Sequence, residues 1–179
     1  CTMKYNPKIN EDVARYAGFA HLHPLNDAVS AQGALALMYQ LQNWLAEVSG
    51  FAAVTLAPAA GAQGEFAGIL MIRNYHLDRG DTKRTKILVP NSAHGTNPAT
   101  VTMAGMTVIE LPSDSNGDVD LAALRAVCEG PERENIAGMM ITVPSTLGLF
   151  EAHILDVIKA EHDAGGLMYI DGSNMKKMI

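Results

Sequence analysis

Apolar residues recur along this chain with two different periods. Between residues 30 and 49, Leu37, Leu41, Trp44, Leu45 and Val48 fall three or four apart, which puts them on one stripe of a helix, and Gly50 follows as a stop. A second helix is expected to open in the small-residue run Ala59-Ala60-Gly61-Ala62-Gln63-Gly64-Glu65 and to reach about Leu77. From residue 86 the pattern changes. Short apolar runs at 86–90, 106–111, 136–143 and 167–170 have the length of buried strands. The stretches 98–104, 120–128 and 151–164 between them read as helices, the last ended by Gly165-Gly166. Strands alternating with helices predict an α/β fold, a mostly parallel sheet with helices on both faces. Residues 1–24 are polar and carry Pro7 and Pro24, so they predict irregular structure. The expected organisation is an irregular N-terminal segment, 1–29, followed by a sheet-bearing domain, 30–179.

Composition narrows the function classes. A chain of 179 residues is long enough for one domain with its own core. The net charge of −6 and the scattered basic residues argue against nucleic acid or an anionic membrane as partner. No apolar run approaches the ~20 residues that span a bilayer. The two cysteines, Cys1 and Cys128, form neither a disulfide framework nor a Cys-x-x-Cys zinc pair, and fit a reducing compartment. The chain does not open with methionine and stops without a clear ending after its last strand, so it reads as a fragment.

In a parallel sheet, ligands sit at the carboxyl ends of the strands, so the loops that follow strands are where chemistry is expected. Four loops stand out. The run 59–65 has small side chains and opens a helix, which suits an anion held by backbone amides and the helix dipole. It is not a Walker A loop, and alone it reads equally as a tight turn packed on small residues. The segment Asn91-Ser92-Ala93-His94-Gly95-Thr96-Asn97-Pro98 carries a histidine that could stack on a flat ring or move a proton, or could sit solvated in a polar turn. Asp171, in Asp171-Gly172-Ser173-Asn174, is a carboxylate at the end of a buried strand; it needs a partner there, such as a protonated pyridine nitrogen, or serves as a helix cap. Thr142-Val143-Pro144-Ser145-Thr146-Leu147-Gly148 offers hydroxyls, or simply a Pro/Gly turn. Together the loops supply an anion cradle, a ring-facing histidine and a ring-nitrogen carboxylate, the parts of a pyridoxal 5'-phosphate site in the chain order used by fold-type I enzymes.

Five motifs in this order resemble the glycine decarboxylase P-protein of the glycine cleavage system: Cys1-Thr2-Met3-Lys4-Tyr5-Asn6-Pro7, Ala60-Gly61-Ala62-Gln63-Gly64-Glu65, Ser92-Ala93-His94-Gly95-Thr96-Asn97-Pro98, Ser145-Thr146-Leu147-Gly148-Leu149-Phe150-Glu151 and Tyr169-Ile170-Asp171-Gly172-Ser173-Asn174. Tyr5-Asn6-Pro7 is closer to the second subunit of the two-subunit form. The resemblance implies that residues 30–179 are an incomplete pyridoxal-phosphate-binding large domain of fold-type I. It also implies an oxidoreductase that decarboxylates glycine and passes the aminomethyl group to the lipoyl arm of H-protein. Gly61, Ala62 and Gln63 would hold the phosphate, His94 would stack on the ring and Asp171 would pair with its nitrogen, with Thr142 also at the cofactor. Ser92, Thr96, Ser145 and Thr146 would line the substrate side. The implied partners are glycine, H-protein and a second P-protein subunit in a heterotetramer. The implied setting is the cytoplasm of a bacterium or archaeon, or the mitochondrial matrix in a eukaryote.

Three departures temper the resemblance. Val143 stands where the family pattern has asparagine, Asn26-Asp27-Ala28-Val29-Ser30 fits the pattern poorly, and the family's Schiff-base lysine follows a histidine in a later His-Lys segment. These 179 residues hold no His-Lys pair, and Lys176 and Lys177 are too near Asp171 to replace it, so the isolated chain is expected to be inactive. Two rival readings are another fold-type I enzyme, such as an aminotransferase, and a noncatalytic assembly subunit. A metal-dependent hydrolase built on His21, His23 and Asp27 lacks a placeable third ligand, and no metal is expected.

Overall fold

A computed structural model describes residues 7–172. The chain forms two compact units, Cys1–Ala57 and Pro58–Ile179, a division later than the 29/30 boundary drawn from the sequence pattern. In the first unit, helix α1 spans Lys8–Ala14 and α2 spans Ala17–Ala20, so the stretch expected to be irregular contains two short helices. A 3-10 turn, Ala28–Ala31, leads into α3, Gln32–Ser49. Gly50 ends that helix with φ of 69°, a left-handed conformation that glycine adopts without cost. No residue of α3 is buried, and Trp44 is 60% exposed, although the same apolar stripe that predicts the helix runs along it.

The second unit carries the sheet. In chain order it comprises α4 (Gly61–Asp78), β1 (Lys86–Pro90), α5 (Thr96–Met103), β2 (Thr107–Leu111), α6 (Leu121–Glu129), β3 (Ile136–Thr142), α7 (Ile154–Asp163) and β4 (Leu167–Asp171). The four strands lie in the order β2-β1-β3-β4 and every pairing is parallel. Alternation along β1 explains the two layers of core. Ile87 and Val89 face a cluster with Ile69 and Ile72 of α4 and Val101 of α5. Leu88 faces the opposite cluster with Leu124 and Cys128 of α6 and Val157 of α7. Helices therefore cover both faces, and β3, sandwiched between them, is buried along almost its whole length. Each large aliphatic side chain sealed in this way contributes about 1.5–3 kcal/mol of transfer free energy.

Local chemistry sets the ends of these elements. Asp120 caps α6, its Oδ1 accepting from the amides of Ala122 (2.9 Å) and Ala123 (3.0 Å). Gly165, with φ of 89°, turns the chain after α7 into β4. Where α4 crosses β4, Gly68 is required: a Cβ there would lie 2.6 Å from Cδ2 of Tyr169. No helix among the described residues is long and apolar enough to cross a membrane.

Candidate functional site

Because the strands are parallel, β1, β3 and β4 deliver their carboxyl ends to the same rim of the sheet. Thr142 and Asp171 are Cα partners in the last register position of β3 and β4. The loop after β1 carries Ser92 and His94 to the same rim, and it is tied there from β3. The Thr142 hydroxyl accepts from the backbone N–H of His94 at 2.8 Å and donates to Oδ1 of Asn97 at 3.2 Å. Thr146 adds a second tie, its amide and hydroxyl both donating to the Ser92 carbonyl at 3.1 and 2.9 Å. Ser145 is spent on its own turn, with its hydroxyl accepting from the amide of Leu147 at 3.3 Å. Thr142, Thr146 and Ser145 thus position backbone, a role the sequence reading did not assign them.

The side chains that converge are His94, Asp171 and Glu65. One ligand-type atom from each lies within 4.8 Å of the others. Glu65 comes from the second turn of α4, His94 from the loop after β1, and Asp171 from the last residue of β4. His94 is exposed, Asp171 half-buried and Glu65 buried. The Glu65 carboxylate is held by two hydroxyls one turn apart on α5: Thr96 donates to Oε1 at 2.7 Å and Thr100 to Oε2 at 3.2 Å. Thr96 also contacts Nδ1 of His94 at 2.7 Å. Thr96 is therefore a link between two site residues. Beside them, Nδ2 of Asn97 is buried with no hydrogen-bond partner among the described residues.

The rim is electrostatically negative. Tyr169 is pushed up to about 12, first by burial and then by the charges of Asp171 and Glu65. Two carboxylates this close favour a cationic group between them. A protonated ring nitrogen meets that demand. The same three groups could take a metal ion, but both Glu65 oxygens and His94 Nδ1 are already engaged by threonine hydroxyls.

The segment expected to cradle an anion lies one helical turn away. Gly61 and Ala62 are the first two residues of α4, where amides have no carbonyl a turn earlier to bond. Glu65 stands four residues on, about 6 Å along the axis. Gly61, Ala62 and Gln63 are exposed, and a Cβ at Gly61 or Gly64 would meet nothing within 4 Å. The space around those glycines is open on the side a side chain would occupy. Gln63 departs from the simple picture, because its Oε1 accepts from the amide of Ala59 at 2.7 Å and so closes the turn before the helix. The residues present fit a phosphorylated, cationic ring: amides for the phosphate, an exposed imidazole for a face and carboxylates for the nitrogen.

Glu65 was quoted within a motif but given no role by sequence reading. The missed signal was periodicity. Glu65, Ile69, Ile72 and His76 form the buried stripe of α4, and an acid on that stripe beside a strand-end loop marks a site. The Cys1–Tyr5-Asn6 part of the first motif, and Ser173, Asn174, Lys176 and Lys177, lie outside the described residues. His23 is turned to its own loop, its Nδ1 accepting from the amide of Leu25 at 3.1 Å.

Comparison with known proteins agrees with the fold. No protein-family profile matches the chain. It is 55% identical over all 179 residues to the probable glycine dehydrogenase (decarboxylating) subunit 2 of Thermococcus onnurineus, covering 35% of that protein. It is 56% identical to the protein of that description from Exiguobacterium sibiricum, covering 36%. The fold matches an inhibitor-bound glycine decarboxylase (P-protein) of the glycine cleavage system with a TM-score of 0.73 over 92% of this chain and 35% of that one, at 20% identity. It also matches Oryza sativa TDC, solved with PLP and tryptamine, with a TM-score of 0.72 over 94% of this chain and 40% of that one, at 12% identity. The α/β fold with a parallel sheet is thus shared with these solved structures. The chain spans about a third of the length of the relatives it matches. Along its whole length, this chain is similar to about a third of probable glycine dehydrogenase (decarboxylating) subunit 2.

Proposed function

We propose that the whole protein decarboxylates glycine with pyridoxal 5'-phosphate and passes the aminomethyl group to lipoylated H-protein, and that this chain supplies most of the cofactor cradle. The convergence of His94, Asp171 and Glu65 within 4.8 Å, one turn from the amides that open α4, carries this reading. Gly61, Ala62 and Gln63 would hold the phosphate, His94 would cover one face of the ring, and Asp171 would keep a proton on the ring nitrogen. Bound there, the cofactor supplies an electron sink for the pair left when carbon dioxide departs. Thr142 fixes the His94 backbone and so sets the height of the imidazole above the site. Ser92, Thr96, Ser145 and Thr146 shape the loops around the substrate. The lysine for covalent attachment would come from elsewhere in the whole protein, as would much of the contact with the partner subunit of a heterotetramer. The proposed setting is a bacterial or archaeal cytoplasm, in keeping with the organisms of the relatives.

The test is release of labelled carbon dioxide from carboxyl-labelled glycine by the full-length subunit with its partner and H-protein. Asp171→Asn is expected to lower the rate at least 100-fold. Release that is independent of H-protein, or unchanged in the variant, would refute the assignment.

A further inference from the structure

We propose that Glu65 is a positioning residue that, acting through the Thr96 hydroxyl, places the ring proton of His94 on Nδ1. The inference deepens the reading of His94 as the residue that covers the cofactor ring, and rests on it for its functional meaning. Its physical content stands on this chain alone.

The available protons decide the direction of each bond. An ionised carboxylate only accepts hydrogen bonds, and a threonine hydroxyl has one hydrogen to give. Glu65 is 6% exposed, and its Oε1 takes the Thr96 hydrogen at 2.7 Å while Thr100 donates to Oε2. Thr96 Oγ1 then faces His94 Nδ1 across 2.7 Å with only lone pairs to offer. If Nδ1 also carried a lone pair, two acceptors would be pressed together at hydrogen-bonding distance. A proton on Nδ1 turns that clash into a chain in which Nδ1–H donates to Thr96 and Thr96 donates to Glu65. One contact opposes this arrangement: the Thr96 amide points at Nδ1 from 3.2 Å and would favour a lone pair there. It is the longer of the two contacts to Nδ1. The carboxylate at the far end strengthens the opposing chain, because bonds to an ionised acceptor are about twice as strong as neutral ones. Of the other neighbours, Thr142 bonds the His94 backbone and not its ring, and Asp171 is the remaining charge close to the imidazole.

The consequence is a ring fixed in both rotation and tautomer before any cofactor arrives. Its Nε2 lone pair remains available on the side away from Thr96. Histidine's free side chain in water prefers the opposite tautomer, with the proton on Nε2, so the effect is observable.

The experiment is nitrogen NMR of the chain labelled with 15N-histidine, without cofactor, at about pH 9, where an ordinary imidazole is neutral. The His94 signals are assigned by their loss in His94→Gln. Nδ1 is expected to carry the ring's single proton. Thr96→Val removes the bridging hydroxyl at constant shape and is expected to shift the population to Nε2–H at least fivefold, while Thr96→Ser restores Nδ1–H. Glu65→Gln supplies an amide N–H that can donate to the hydroxyl, releasing its hydrogen toward Nδ1, and is expected to give the same shift. Nε2–H as the main form in the unmodified chain overturns the proposal, as does a folded Thr96→Val or Glu65→Gln that keeps the original ratio. Should Glu65→Gln fail to fold, Thr96→Val decides. Because no cofactor is present, failure of this positioning is distinct from failure of the cofactor reading, which a separate titration with pyridoxal 5'-phosphate measures.

Discussion

Replacing Glu161 by glutamine is expected to change how the stability of this chain depends on pH. Glu161 lies on α7 with no exposed surface, and neither carboxylate oxygen has a hydrogen-bond partner among the described residues. Its nearest cation, Arg84, is spent elsewhere. That guanidinium bonds Asp81 at 2.7 Å, the Ala164 carbonyl at 3.0 Å and the Ile136 carbonyl. Burial therefore outweighs the attraction of Arg84 and pushes the Glu161 carboxyl up to about 7 from an ordinary 4.5. Between those two values the folded chain keeps a proton that the unfolded chain has released. Stability contributed by this group thus falls as pH rises from about 4.5 to about 7, then stays low. At 1.36 kcal/mol for each tenfold, the loss is about 3 kcal/mol. Glutamine cannot ionise, so any cost of its amide is the same at every pH. Urea unfolding of the two proteins across pH 5 to 8.5 should show the variant gaining on the parent throughout the rise and levelling off above about pH 8. A difference that does not change with pH would refute the reasoning.

Three further outcomes follow from local geometry. Asp120→Ala removes the acceptor for two amides at the start of α6 and should cost about 1 kcal/mol in the same urea assay, whereas Asp120→Ser should cost a few tenths. Gly68→Ala forces a methyl group against the Tyr169 ring and should cost roughly 1–3 kcal/mol, with a Tyr169→Leu background recovering part of it. The Cys128 thiol is raised to about 11 by burial and then by Glu161, so in a Cys1→Ser background iodoacetamide at pH 8 should label it only after urea is added. Labelling of the folded chain at the rate of free cysteine would contradict that environment.

The centre of the sheet was legible in the sequence because β1 and β3 are buried on both faces. Runs such as Ile136–Thr142 carry no polar interruption, and each of the four fell within a residue or two of where apolar runs placed it. The N-terminal stretch was not legible in the same way. Lys8–Ala14 has a helix-forming composition but no apolar stripe, so periodicity, which reports burial, was silent there. The site was legible at its ends and not in its middle. Asp171 stands out as a polar residue closing an apolar strand, and His94 as a histidine in the polar loop that follows one. Glu65 lies inside a helix, and its partnership with Thr96 and Thr100 depends on how α4 packs on α5, which local sequence does not encode. Thr142 and Thr146 look like site hydroxyls in the sequence, yet their hydrogen bonds serve to tie loops together.

In the proposed function, one cluster at one rim of a parallel sheet receives a phosphorylated, cationic ring. Titration of the full-length subunit pair with pyridoxal 5'-phosphate, followed by absorbance, tests this most directly when run beside His94→Ala and Asp171→Ala. Saturable binding that weakens at least tenfold in each variant is the predicted result; equal affinity in all three proteins would contradict it.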